Sequence, residues 1–261
     1  MPIQATSTLN GVSSVAFSPN GTLLASAAGN LLDRAAGGDG TVRLWNLATR
    51  QPAGAPIQTG SALVQVAFSP RGMLLASAEA DGTVRLWNPV TGLPVGAPIK
   101  TDSSPNGVSA VAFSRDGTLL ASGGGDGIVW LWNPATHRRV GAPLHATSNP
   151  IYGAPWVAFS PDGTLLASAD ADGAVRLWNP ATAQPVGAPI PVAAQTGGAD
   201  TVAFSPDGTL LASGGPDGNV RLWKVSLFTH AYAVLCAGAG PPTPREWNHY
   251  ASGEPQPKVC G

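Results

Sequence analysis

One stretch of about 45 residues recurs five times along this 261-residue chain, most cleanly as VAFSPDGTLLASADADGAVRLWNPATAQPVGAPI from Val157 to Ile190. Repetition at such a period decides the architecture, because each copy must bury its apolar faces against its neighbours. The phenylalanines of the VAFS segment fall at Phe17, Phe68, Phe113, Phe159 and Phe204, and the tryptophans of the LW segment at Trp45, Trp87, Trp132, Trp178 and Trp223. Four of the five Phe-to-Trp separations are 19 residues. The first is 28, because GNLLDRAAG (29–37) is inserted between intact segments. An insert of that kind reads as a loop excursion on a fixed scaffold.

The turns predict how each unit folds. In the second repeat, strand chemistry marks VQVAFS (64–69), MLLASA (73–78), TVRLWN (83–88) and LPVGAPI (93–99). Pro-Asp-Gly between the first two, as at Pro161 to Gly163, places proline where φ near −65° is wanted and glycine where a positive φ closes a hairpin. Asp-Gly acts the same way between the second and third, and Asn-Pro-Ala-Thr turns the chain toward the fourth. Strands joined by such short turns are antiparallel neighbours. Leu and Val alternate with Trp and Phe, so neither face of the four-stranded unit is polar and each sheet must be sandwiched between copies of itself. Radial stacking of such sheets is a β-propeller. The expected fold class is therefore all-β: five four-stranded blades over residues 1–225, incomplete or irregularly closed, with a small helical cap over 226–261.

Composition narrows the function. Charged residues make up only 11% and the formal net charge is −1, which offers no clustered basic footprint for nucleic acid. Gly and Pro number 58 together, but at fixed offsets, as punctuation rather than disorder. No apolar run reaches the length of a membrane span, and no signal-peptide pattern opens the chain as given. A cytoplasmic location is expected, with no nucleic-acid partner and no membrane segment.

These residues resemble the WD-repeat propellers, over roughly residues 1 to 225. One departure stands out: the family's Trp-Asp is Trp-Asn in repeats one to four (Trp45-Asn46 to Trp178-Asn179) and Trp-Lys at Trp223-Lys224. In that family a third-strand Trp, a second-strand Ser or Thr, an Asp in the following turn and a His ahead of the first strand share a hydrogen-bond network. The resemblance implies the sets Trp45, Ser26 and Asp39; Trp87, Ser77 and Asp81; Trp132, Ser122 and Asp126; Trp178, Ser168 and Asp172; and Trp223, Ser213 and Asp217. The histidine is missing throughout, its place taken by Thr8, Thr59, Ser104, Pro150 and Gln195. A three-member network is expected, with the aspartate capping backbone N–H groups of the turn.

The first 18 residues align without a gap on Ala97 to Ser114, so the chain enters mid-repeat, and the fifth repeat has no GAPI segment after Lys224. This reading favours the C-terminal part of a longer array over an open or irregular five-blade ring. Beyond the repeats, Phe228, Tyr232, Leu235 and Cys236 form a helical stripe, and Thr243-Pro244-Arg245-Glu246 opens a second short helix carrying Trp247 and Tyr250. This tail resembles the ends of actinobacterial WD-repeat proteins linked to STAND-type NTPases or serine/threonine kinases. Cys236 and Cys260 are compatible with a disulfide or with two free thiols, depending on the compartment.

A search for chemistry finds turns instead. Gly123 to Gly127 joins two strands and lacks a following Gly-Lys-Ser/Thr, so it is no phosphate loop. Asp170 to Gly173 lacks the bidentate Glu of a calcium loop, Ala181 standing in its place. His137, His145, His230 and His249 have no metal-ligand spacing. The repeated aspartates belong to the scaffold, whereas specificity is expected of residues that break the repeat: Asp33, Arg34, Glu79, Lys100, Asp102, Trp130 and the His137-Arg138-Arg139 turn. No nucleophile, base and orienting group can be assembled from them. The expectation is a non-catalytic module without cofactor, whose partner is an unknown protein or a missing N-terminal part of the same protein.

Overall fold

The computed structural model describes residues 11–28, 40–102, 107–147, 156–170, 172–192 and 201–229. Five antiparallel sheets, here blades 1 to 5, follow one another along the chain. Blade 1 is the meander β1 (Val12–Phe17), β2 (Leu23–Ala28), β3 (Gly40–Asn46) and β4 (Ile57–Thr59). Blade 2 repeats it with β5 (Leu63–Phe68), β6 (Leu75–Glu79), β7 (Thr83–Trp87) and β8 (Ile99–Lys100). Blade 3 comprises β9 (Val108–Phe113), β10 (Leu120–Gly124) and β11 (Ile128–Asn133), with β12 (Arg138–Arg139) and β13 (Leu144–His145) both paired to β11. Blade 4 matches it with β14 (Trp156–Phe159), β15 (Leu166–Ala169), β16 (Ala174–Asn179), β17 (Gln184–Pro185) and β18 (Ile190–Pro191). Among the described residues blade 5 has three strands, β19 (Thr201–Phe204), β20 (Leu210–Gly214) and β21 (Val220–Lys224), followed by the single turn of helix α1 (Ser226–Thr229).

The fourth strand departs from the expected continuous run. In blade 2, Pro94 makes one isolated bridge to Trp87, and pairing resumes only at Ile99, opposite Val84. Pro94 and Pro98 have no N–H to donate, and Gly96 between them has φ +73°. The strand is therefore broken into two touch points.

Alternation sends each blade's side chains to two faces. On the leading face, toward the preceding blade, blade 2 carries Val66, Leu75 and Trp87; on the trailing face it carries Ala76, Ala78, Val84, Leu86 and Ile99. The leading set packs on Ala25, Ala27, Val42, Leu44 and Ile57 of blade 1, and the trailing set on Val108, Val111, Leu120 and Trp132 of blade 3. Blades 3 to 4 and 4 to 5 repeat the pattern. Alanine on the second strand leaves the depth that the neighbour's Trp and Leu fill, so the core is divided into four interblade layers. The innermost strands β1, β5, β9, β14 and β19 lie side by side in that order.

Lys224 explains how blade 5 ends. In blades 1 to 4 the Oδ1 of Asn46, Asn88, Asn133 and Asn179 accepts two N–H groups of the following turn, at 2.9 to 3.3 Å. Lysine has no acceptor to offer. The chain instead enters α1, whose buried Phe228 packs edge-on against Trp223, 6.5 Å between ring centroids, and joins the blade 4 to 5 core. The expected continuation of this helix, the second helix and both cysteines, Cys236 and Cys260, lie outside the described residues.

Candidate interaction surface

Two polar groupings recur in the blades. The first is an indole-to-hydroxyl bond: Nε1 of Trp45, Trp87, Trp132, Trp178 and Trp223 donates to Oγ of Ser26, Ser77, Ser122, Ser168 and Ser213 at 2.8 to 2.9 Å. Strand register sets this up. Leu75 lies opposite Trp87 and Ser77 opposite Arg85, so the serine stands one step diagonally from the indole on the same face.

The second grouping is built on the aspartates. Asp81, Asp126, Asp172 and Asp217 each accept, through Oδ1, the backbone N–H two residues on, at 3.0 to 3.1 Å. Four residues on, Arg85, Arg176 and Arg221 close onto the same carboxylates at 3.4, 2.6 and 2.6 Å. Hydrogen bonds from Arg221, then from Asn219, hold the Asp217 carboxyl far below the usual carboxylate range. Asp39 lies outside the described residues. The arginine clamp was not anticipated from sequence, although the Asp-Gly-x-Val-Arg spacing carries its signal.

In blade 2 these two groupings are joined into one chain. Glu79 is fully buried, receives the Ser77 hydroxyl at 2.9 Å and pairs with Arg85, which also reaches Asp81. Burial lowers the Arg85 pKa from its ordinary value, leaving it still far too basic to lose its proton at neutral pH. Glu79, proposed from sequence as a contact residue, is thus shut inside the blade 1 to 2 interface and does not face a partner. Ala28, Gly124, Asp170 and Gly215 hold its position in the other blades, and Asp170 is likewise buried.

A third device escaped the sequence reading. In blades 3, 4 and 5 the carboxylates of Asp116, Asp162 and Asp207 accept the hydroxyl of Ser114, Ser160 and Ser205 at 2.5 to 2.6 Å and the N–H of Thr118, Thr164 and Thr209 at 3.0 to 3.1 Å. The serine bond foremost, then the threonine N–H, holds each carboxyl below its ordinary pKa. In blade 1 Asn20 takes the same bonds with a neutral oxygen. A cavity of about 370 Å³ between blades 3 and 4 is lined by this turn, including Asp116 and Asp162. Both carboxylates are already occupied by their own turns, and they form no acid–base pair. No three His, Cys, Asp or Glu come together as a cation site among the described residues.

Blade 3 is where the remaining repeat-breaking residues meet. Trp130 occupies the position of Arg43, Arg85, Arg176 and Arg221, and Arg139 that of Pro52, Pro94 and Pro185. The Arg139 guanidinium lies 3.9 Å from the Trp130 ring centroid and 5.4 Å from that of Trp132, and Nη2 pairs with Asp102 Oδ2 at 2.5 Å. The two indoles are 6.4 Å apart. His137, with φ +57°, lies with Nδ1 2.8 Å from the Ala97 carbonyl, which can only accept, so that nitrogen carries the proton. Arg138 and Lys100 are exposed beside them, and Asp102 is more exposed than its partner Arg139. Asp33 and Arg34 lie outside the described residues.

The model for the WD domain, G-beta repeat, matches residues 4–46, 54–88, 96–133, 146–179 and 193–224. This chain belongs to the WD-repeat family. Each of the five matches holds the first three strands of one blade and, in blades 1 to 4, leaves out its outer strand, which for blades 1 and 2 falls at the start of the next match. With them the all-β, five-blade WD architecture expected from the repeats is present. WD repeats are a protein-interaction scaffold. A search of curated proteins found no match to this WD-repeat chain. Among the described residues no helix is long and apolar enough to cross a membrane.

Proposed function

We propose that this WD-repeat chain is a non-catalytic scaffold that holds a protein partner at the outer rim of blades 2 and 3, in bacterial signalling. The observation that carries the reading is the coupled pair of departures, Trp130 for arginine and Arg139 for proline, which meet at 3.9 Å and draw in Asp102 from blade 2. In blades 2, 4 and 5 the arginine is clamped by its turn aspartate. Here a half-exposed guanidinium lies over an aromatic face, the residue combination enriched at the energetic centres of interfaces. Rigid blades below and exposed Lys100, Asp102 and Arg138 around it supply a fixed platform with a polar rim. The signalling setting rests on the resemblance of the tail to WD-repeat proteins linked to STAND-type NTPases or kinases. On that resemblance the chain could equally be the sensor portion of such a protein.

The test repairs the repeat. Trp130→Arg with Arg139→Pro restores what the other blades carry, so the fold survives while the platform is removed. Affinity capture with quantitative mass spectrometry should show a protein retained by the wild type and lost by the repaired variant. An identical set of captured proteins for both would refute the assignment. Residence of the reading frame upstream of Met1 in an NTPase or kinase gene would support the sensor version.

A further inference from the structure

The four interblade layers are built alike, yet among the described residues the two outermost faces of the array have nothing of the kind upon them. Val15 of β1 is 58% exposed, whereas Val66, Val111, Val157 and Val202 at the same position are at most 4% exposed. Phe17 beside it is 66% exposed. At the other end Val220 and Leu222 of β21 are 77% and 66% exposed, whereas Val42, Val84, Val129, Val175 and Leu44, Leu86, Leu131, Leu177 at the same positions are all buried. One face is the leading half of the repeated interface and the other is the trailing half. Each therefore has the side-chain pattern that covers the other, in a geometry the chain already uses four times.

We propose that two copies of this chain associate head to tail, blade 5 of one against blade 1 of the other, rebuilding the interblade layer between them. Val220 and Leu222 then play toward Val15 the part that Val42 and Leu44 play toward Val66 within blades 1 and 2. A polar contact comes with it. In blades 1 and 2 the inner-strand residue accepts the N–H of the next blade's valine: Ser14 Oγ from Val66 at 3.4 Å, Gln65 Oε1 from Val111 at 2.6 Å. Thr201 is the equivalent residue of blade 5 and is exposed, ready to accept the Val15 N–H of the second copy. Face-to-face pairing of two like ends would set leading on leading, a combination the molecule nowhere makes. The contact is therefore heterologous, closing as a two-copy ring or running on as a filament. It concerns different residues from the Trp130 platform and stands independently of it.

Sedimentation velocity across a hundredfold range of concentration, with Val15→Glu, Leu222→Glu and their mixture, tests the idea. Both positions are exposed, so the variants keep the wild-type far-UV circular dichroism; Val15→Ser and Leu222→Ser replace either one that does not. Wild type should exceed its 26.3 kDa chain mass, at least doubling it. Each variant alone, having lost one half of the interface, is expected to sediment as a monomer. Mixed in equal amounts, the two variants still hold one intact trailing face and one intact leading face, and should form a dimer with a single interface. A wild-type monomer at every concentration would overturn the proposal, as would self-association that only one of the two substitutions abolishes, or a mixture that stays monomeric.

Discussion

The guanidinium of Arg139 lies over the ring of Trp130, and each of the two residues is foreign to its position in the repeat. The strand register that sets Trp132 opposite Arg139 brings the guanidinium across both indoles. An exchange at one position that was compensated at the other would leave a measurable coupling.

A double-mutant cycle on Trp130→Ala and Arg139→Ala should return a coupling of about 0.5–1 kcal/mol, the range for a cation–π contact that remains partly in solvent. Urea denaturation of the four proteins measures it. Strictly additive losses would mean that the contact contributes nothing to stability.

Arg85→Ala is expected to be the more damaging half of the buried pair. It leaves the Glu79 carboxylate enclosed with only the Ser77 hydroxyl to hold it, at a cost of roughly 3–5 kcal/mol. Glu79→Ala installs the residue that blade 1 carries as Ala28 and leaves Arg85 to Asp81, as Arg221 pairs with Asp217 in blade 5, where Gly215 holds the Glu79 position. Adding Glu79→Ala to Arg85→Ala should therefore recover part of the loss, read as the midpoint of thermal unfolding.

Acid should weaken the fold through its turns. Asp116, Asp162, Asp207 and Asp217 are held below the ordinary carboxylate pKa when folded. Their contribution is fully present above the unfolded value, about 3.9, and is lost as pH falls toward the lowered folded values. Stability should thus be insensitive to these groups above about pH 5 and decline below about pH 4. Asn20 shows that an amide oxygen takes the same bonds, so Asp116→Asn, Asp162→Asn and Asp207→Asn together should flatten the acid limb while keeping the turns. Unfolding free energies at pH 7 and pH 3 decide it.

Two glycines separate backbone strain from collision. Gly163 has φ +75° with nothing within 4 Å of an added Cβ, so Gly163→Ala should cost about 1 kcal/mol, the left-handed penalty alone. Gly107 has φ +73° and a Cβ there would lie 2.7 Å from the Ala80 carbonyl oxygen of blade 2. Gly107→Ala should cost clearly more, about 2–3 kcal/mol, since the interface itself must shift. Equal losses by urea denaturation would show that the collision is absorbed without cost.

Much of this was legible in the repeat. Blade number and the Asp-Gly turns follow from spacing, since each depends on residues within a single unit, while the Trp and Ser partners came from the family resemblance. The broken fourth strand was less visible, because Val and Ile in LPVGAPI advertise a strand that Pro94 and Pro98 cannot complete. The family resemblance placed tryptophan, serine and aspartate in one network, whereas blades 4 and 5 show an indole–serine bond beside an aspartate–arginine clamp. The Glu79 that bridges them in blade 2 read as a surface departure, because its burial depends on Arg85 and on the neighbouring blade.

By itself, the sequence determined the unit: four short strands, their turns and two apolar faces, all governed by hydrophobic periodicity and local φ/ψ preference. Only the tertiary structure decided which departures from the repeat are surface and which are core. Glu79 went inside and Arg139 out over Trp130, because burial is set by the residue across the interblade gap, a distance that spacing along the chain does not encode.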